Sequence, residues 1–325
     1  MTQEELKPYY DDILNMYKQG ITLRKIGKKY DSGHSTIKGL LIKNGDFIEN
    51  REILSITIPE SEHQNIIDSY NNGDEVIEIA EKYGVGHAVI RKILKYYNIH
   101  VTMNKPSKYK VNKHYFDEID NQDKAYTLGL LYADGYNMSK RNLVGIELQE
   151  DDGYILEKIR DNMESDFPIT YKNLHDKNPN WKNHNIFNIV NRRISVVLNN
   201  LGVVPRKSLI LEFPTFLNED MIPHFIRGYF DGDGHIPKDK YSRDAQFIST
   251  RAFCEYVQKY LKELLDINSV VTLNIKDKNS PRYNGVTCTW RIKDKKSSKK
   301  FYDYIYKDAN MYLKRKYEVY SSKTF

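Results

Sequence analysis

Cysteine is nearly absent: Cys254 and Cys288 are the only two in 325 residues. Two thiols make neither a disulfide framework nor a zinc ligand set, so both read as buried and reduced. Long apolar runs are also missing. No hydrophobic stretch precedes a cleavage signal at the N-terminus, and no segment reaches membrane-spanning length, so no membrane partner is expected. The excess of positive charge is small, 50 Lys and Arg against 44 Asp and Glu, or +6. Such a balance is compatible with nucleic acid without requiring it. The nine histidines show no paired metal spacing. Lys, Asn, Ile and Tyr are plentiful, which reads as AT-rich coding in a low-GC bacterium or its phage. The expected location is therefore the cytoplasm of a bacterial or phage-infected cell. The length suffices for two or three domains with real cores.

The N-terminal third repeats itself. Ile13 to Asn44 aligns without gaps onto Ile66 to Tyr97, at an offset of 53. Ile13/Ile66, Tyr17/Tyr70, Ile26/Ile79, Gly33/Gly86, His34/His87, Ile37/Ile90 and Leu41/Leu94 are among the matched pairs. Each copy reads as three short helices, and Gly84 suits a position of positive φ between the last two. Ile79, Ala80, Val85 and Ile90 have the spacing of a helix-turn-helix core, as do Ile26, Gly27, Ser32 and Ile37. The repeats resemble the helix-turn-helix modules attached to resolvases and phage nucleases. Their groove-facing candidates are His34, Ser35, Thr36 and Lys38 in one copy, and His87, Ala88, Arg91 and Lys92 in the other. The competing reading is a pair of helical hairpins for protein contacts. Residues 1–50 and 51–100 make the two modules. Residues 101–114, with Pro106, four lysines and no acid, make a basic linker that doubles as a strap for phosphates.

Beyond the linker, helices alternate with hairpins. The order αββαββα is read twice, over 115–210 and 211–325, giving an α+β fold with antiparallel sheets. Each copy opens on a similar segment. The first is Thr127-Leu128-Gly129-Leu130-Leu131-Tyr132-Ala133-Asp134-Gly135, and the second is Ile226-Arg227-Gly228-Tyr229-Phe230-Asp231-Gly232-Asp233-Gly234. The two lie 99 positions apart. Small residues four apart share one helix face, so two such faces can pack with their backbones close. Packing of that kind brings Asp134 and Asp233 side by side. Two adjacent carboxylates on a basic protein point to divalent metal and phosphate chemistry. Metal clamped between carboxylates and a phosphate can activate water and stabilise the leaving oxygen. A basic side chain nearby can polarise the water or the phosphate. By position after the last strand of each half, the candidates are Arg192 and Arg193, then Lys293 and Lys295. Gln149, near a strand end in the first half, is a further candidate for organising water.

The duplicated pattern resembles a single-chain LAGLIDADG homing endonuclease over residues 115 to 325. The stretches Leu201-Gly202-Val203-Val204-Pro205-Arg206-Lys207-Ser208 and Tyr312-Leu313-Lys314-Arg315-Lys316-Tyr317 have the same style. The resemblance implies that the motif helices form the interface of pseudo-symmetric halves in a monomer. It implies that Asp134 and Asp233 bind Mg2+, with Mn2+ as a substitute. It also implies antiparallel sheets lying in the major groove of double-stranded DNA, and cleavage of both strands with 3′ overhangs. Lys207 and Lys238 join the DNA-contact candidates. The first motif departs from the family at Thr127, Leu128 and Tyr132. Asp231 is expected to be structural.

Two other classes share the fold pattern: a non-cleaving DNA-binding regulator and an intron RNA maturase. Retention of both acids favours the nuclease. Asp231-Gly232-Asp233-Gly234 is not a calcium hand, because its twelfth position is Ser242. Intein splicing lacks its nucleophile and its terminal His-Asn, so a free-standing chain is expected.

Overall fold

A computed structural model describes the chain except residues 19–20, 48–57, 102–106, 240–243, 275–285 and 324–325. Part of the basic linker, with Pro106, lies outside the described residues. The chain divides into two compact units, Met1–Lys105 and Pro106–Phe325.

The first unit is helical among its described residues. It holds α1 (Gln3–Leu6), α2 (Tyr10–Lys18), α3 (Leu23–Lys29), α4 (His34–Lys43), α5 (His63–Asn71), α6 (Val76–Lys82) and α7 (His87–Tyr96). The repeat is visible in the cores. Ile13, Tyr17, Ile26, Ile37 and Leu41 are buried in one cluster; Ile66, Tyr70, Ile79, Ile90 and Leu94 are buried in another. The α6–α7 turn passes through Gly84 at φ +63°, which glycine adopts without a Cβ clash. The first copy makes the same turn with Asp31, at φ +47°.

The second unit contains two four-stranded antiparallel sheets with one strand order, β1-β2-β4-β3 and β5-β6-β8-β7. The first sheet comprises β1 (Gly135–Met138), β2 (Leu143–Gln149), β3 (Ile169–Lys172) and β4 (His184–Val190). Its helices are α8 (Gln122–Ala133), α9 (Gly153–Asn162) and α10 (Arg192–Asn200). The second sheet comprises β5 (Gly234–His235), β6 (Ala245–Ser249), β7 (Val270–Asn274) and β8 (Thr287–Ile292). It is accompanied by α11 (Ile222–Asp233), α12 (Arg251–Leu265), α13 (Lys295–Tyr306) and α14 (Lys314–Ser321). Alternation decides the sheet faces. Val144, Ile146, Leu148, Phe187 and Ile189 are buried in the first sheet; Ala245, Phe247, Trp290 and Ile292 are buried in the second. Their neighbours Glu147, Gln149, Thr272 and Arg291 keep part or most of their surface open.

α8 and α11 pack against each other at the centre of this unit. Seven of the nine residues in Ala125–Ala133 are strongly apolar or aromatic in character, and α8 is buried almost throughout. Such a helix belongs between other elements rather than on a surface. The contact is made by backbone. A β-carbon on Gly129 would fall on the Phe225 carbonyl oxygen and 2.8 Å from Tyr229 N. One on Gly228 would fall on the Tyr126 carbonyl oxygen and 2.9 Å from Leu130 N.

Candidate active site

The glycine contact sets where both helices end. Asp134 caps α8 and Asp233 is the last residue of α11; each is followed by a glycine that begins a strand. A β-carbon on Gly232 would lie 3.0 Å from Asp134 Oδ2, so the first carboxylate sits against the residue preceding the second.

The electrostatics follow from the proximity. Asp233 is pushed up to about 6, first by the protein packed around it and then by the Asp134 charge. Asp134 is also raised, mainly by desolvation. Both residues nevertheless keep more than a third of their surface open to solvent. They are open carboxylates at helix ends, not sealed in the interior, so solvent weakens the repulsion.

Two lysines answer these acids. Lys207 is buried, and its Nζ donates to the carbonyls of Ala133, at 3.3 Å, and Gly135. Lys316 is buried, and its Nζ donates to Phe230 O at 2.6 Å, Gly232 O at 3.4 Å, and Gly234 O. Burial lowers both ammonium groups, Lys316 to about 8, while the aspartates oppose the shift. Each lysine thus seals the carbonyl end of one motif helix and puts a positive charge beside the acids.

The last strands lead elsewhere. Gly234 pairs with Phe247, and Ala245 pairs with Ile292. Lys293, one residue past Ile292, therefore leaves the second sheet about 13 Å along the strands from the level of Asp233. In the first sheet Gly135 pairs with Ile146, whereas Leu143 pairs with Val190. Arg192 and Arg193 follow Val190 and so also start from the far end. Arg193 makes a two-pronged ion pair with Asp117, at 3.1 and 2.7 Å. Lys293 and Arg193, expected as catalytic groups, are not brought together with the acids: antiparallel pairing carries the chain away from Asp134 and Asp233 before those residues occur. Arg192 and Lys295 share the far end. Gln149 stands at the near end, on β2 just beyond the level of Asp134, and is half-buried.

Lys207, expected on DNA, is instead bound to backbone carbonyls at the acids. Lys316 was not expected at all. The signal for it was the recurrence of Arg-Lys in Arg206-Lys207 and Arg315-Lys316, once near the end of each half. Lys238 is exposed after β5.

Asp231 is the buried acid of α11. It accepts from Tyr126 Oη at 2.9 Å, Tyr306 Oη at 3.2 Å and Leu313 N at 2.7 Å. One turn earlier, buried Arg227 donates to Met311 O and Ile305 O, both at 2.8 Å. These two side chains fix the segment that carries Lys316, the structural role expected of Asp231.

In the first unit, His34, Ser35 and Lys38 are exposed on α4, and Thr36 is partly so. Lys38 Nζ lies 4.9 Å from the Phe47 ring centre. His87 and Arg91 are exposed on α7, and Lys92 is partly buried.

Residues 220–306 match the family model described as LAGLIDADG-like domain. The second half carries a LAGLIDADG-like domain. The match begins before α11 and ends with α13, so it includes Asp233 but not Lys316. Solved structures similar to the chain include full-length DUF199/WhiA from Thermatoga maritima, at 15% identity and TM-score 0.40. That similarity covers 66% of this chain and 66% of the other. Mesophilic variants of the homing endonuclease I-DmoI are 16% identical, covering 57% of this chain and 94% of theirs, with TM-score 0.38. The homing endonuclease I-WcaI bound to its DNA recognition sequence is 15% identical, covering 69% and 96%, with TM-score 0.41. No curated protein matches the chain. No helix among the described residues is long and apolar enough to cross a membrane.

Proposed function

We propose that the chain is a site-specific endonuclease that hydrolyses both strands of double-stranded DNA with Mg2+, or Mn2+ in its place. The observation that carries this reading is the pair Asp134 and Asp233, juxtaposed by backbone contact between α8 and α11. The donor set fits a hard divalent cation. Two open carboxylates repel each other, and a cation between them relieves that repulsion. Magnesium keeps several waters, so one carboxylate from each half suffices. Such an ion supplies activation of water and neutralisation of phosphate charge.

The chain's own groups do the rest. Lys207 and Lys316 hold the helix ends rigid, and their charges oppose the rise of both acids and so favour the ionised carboxylates. Gln149 orients water from the first sheet. The open sheet faces, with Glu147, Lys172, His184, Gln246 and Arg291, read the major groove from both sides of the acids. The two N-terminal helical groups are helix-turn-helix modules that lengthen the target, through His34, Ser35, Thr36 and Lys38, and through His87, Arg91 and Lys92. One chain with two halves acts as a monomer. Cutting leaves 3′ overhangs.

The test is incubation with DNA spanning the gene's insertion site, closed up as in an allele lacking the gene, with magnesium and with EDTA. A discrete magnesium-dependent double-strand break is expected. Tight binding without a break, in magnesium and in manganese, would replace this reading with a DNA-binding regulator.

A further inference from the structure

Two Arg-Lys pairs deliver a lysine to the motif helix ends, Arg206-Lys207 from near the end of the first half and Arg315-Lys316 from near the end of the second. The lysines take equivalent places. Ala133 and Gly135 in the first motif correspond to Gly232 and Gly234 in the second, and these carbonyls receive Lys207 and Lys316 respectively. The arginines before them share only their place in the pair: Arg206 has left-handed backbone at φ +58°, whereas Arg315 lies within α14.

Their surroundings differ. Arg315 Nε donates 2.8 Å to Asp152 Oδ2, and Asp152 is 2% exposed at the head of α9. The residue at the head of α12 in the other half is Thr250, an uncharged side chain that donates to Leu211 O and accepts from Phe253 N at 3.2 Å. Arg206 is exposed, and no partner holds it among the described residues. A buried carboxylate is costly to leave unpaired, so it keeps its arginine against a competing phosphate. Among the described residues nothing competes for Arg206.

The first half also fastens the neighbours of Arg315. Tyr154 Oη donates to Tyr312 O at 2.9 Å and accepts from Lys314 N at 2.6 Å. Asp152 and Tyr154 thus tie down the stretch that delivers Lys316.

We infer that Asp152 commits Arg315 to positioning Lys316, and that Arg206 alone of the two arginines takes a DNA phosphate, so the two strands meet unlike cations. This rests on the double-stranded DNA reading above. Arg315 is a positioning residue; Arg206 is a contact to substrate.

The test is a salt titration of binding, using the full chain and a labelled mixed-sequence DNA duplex in EDTA. Each lost phosphate contact lowers the slope of log affinity against log salt by about one. Arg206→Gln is expected to lower it by about one, and Arg315→Gln to leave it unchanged. Asp152→Asn keeps the shape but releases the Arg315 charge, and is expected to raise the slope by about one. Equal losses in both arginine variants, or no loss in Arg206→Gln, overturn the inference while leaving DNA binding intact. The two arginine substitutions are on the surface, so they decide the matter even where Asp152→Asn does not fold. No salt-dependent binding by the unsubstituted chain removes the DNA reading and this inference together.

Discussion

Asp134 Oδ2 occupies the space in which a side chain at position 232 would begin, 3.0 Å from where the β-carbon would stand. The acid of one motif is therefore accommodated by the absence of a side chain in the other. Gly232→Ala should disturb the site without altering any charge. Its β-carbon would also fall on that of Ala133. A stability loss of about 1–3 kcal/mol is expected from overpacking, read by urea unfolding. Cleavage should fall further than stability, since the carboxylates must part. Wild-type cutting by a folded Gly232→Ala protein would show that the spacing is not critical.

The acids themselves are the most direct target. Asp134→Asn and Asp233→Asn each remove one charge from the proposed metal site. Cutting should drop by on the order of a thousandfold or more, while duplex affinity in EDTA stays the same or rises. Strand-specific labels should show whether one strand or both are spared. Double-strand cleavage at the unsubstituted rate in either variant would mean the site lies elsewhere.

Because Asp233 is raised to about 6, pH offers an independent check. A carboxyl whose folded pKa exceeds its unfolded value stabilises fully below the unfolded value, and that contribution disappears as pH rises through the folded one. The metal-free protein should therefore lose stability between about pH 4 and pH 6, by about 1 kcal/mol after allowance for solvent screening. Asp233→Asn should flatten that part of the curve. Cleavage should show the opposite limb, rising through pH 6 as the carboxylate ionises. Melting temperatures across this range, with and without magnesium, test both halves of the argument.

Lys316 gives a test of coupling. Its charge lowers the Asp233 pKa, as does that of Lys207. Lys316→Met should move the acid limb of cleavage to higher pH and slow the reaction at pH 7 by about tenfold or more. Lys316→Arg, too large for three carbonyls in a buried place, should rescue the limb more than the rate. An unmoved limb in Lys316→Met would leave the lysine a purely structural cap.

The helix-end acids were legible because a face of small residues has one consequence: backbone contact, and hence proximity of whatever ends the helices. Period and caps account for the element positions; Arg251–Leu265, for instance, is capped by Thr250 and buries Phe253, Val257 and Leu261 on one face. The basic partners were not legible by position after the last strand. Strand direction decides at which end of a sheet a residue emerges, and in both halves that end is the far one. Lys207 looked like a surface cation because nothing local shows that a lysine is buried. Only its bonds to Ala133 and Gly135, more than seventy residues away, place it.

The two-unit division separates affinity from chemistry. Met1–Lys105 holds its own cores, and both acids and both lysines belong to Pro106–Phe325. Removing residues 1–105 should weaken DNA binding and flatten its salt dependence, because phosphate and groove contacts leave with α4 and α7. Cutting at saturating protein should persist at a similar rate, because no group at the acids is lost. Loss limited to affinity would assign the modules to target recognition. Unchanged affinity and salt slope would make them protein-contact elements, and His34, Lys38, His87 and Arg91 would then face another polypeptide rather than a groove.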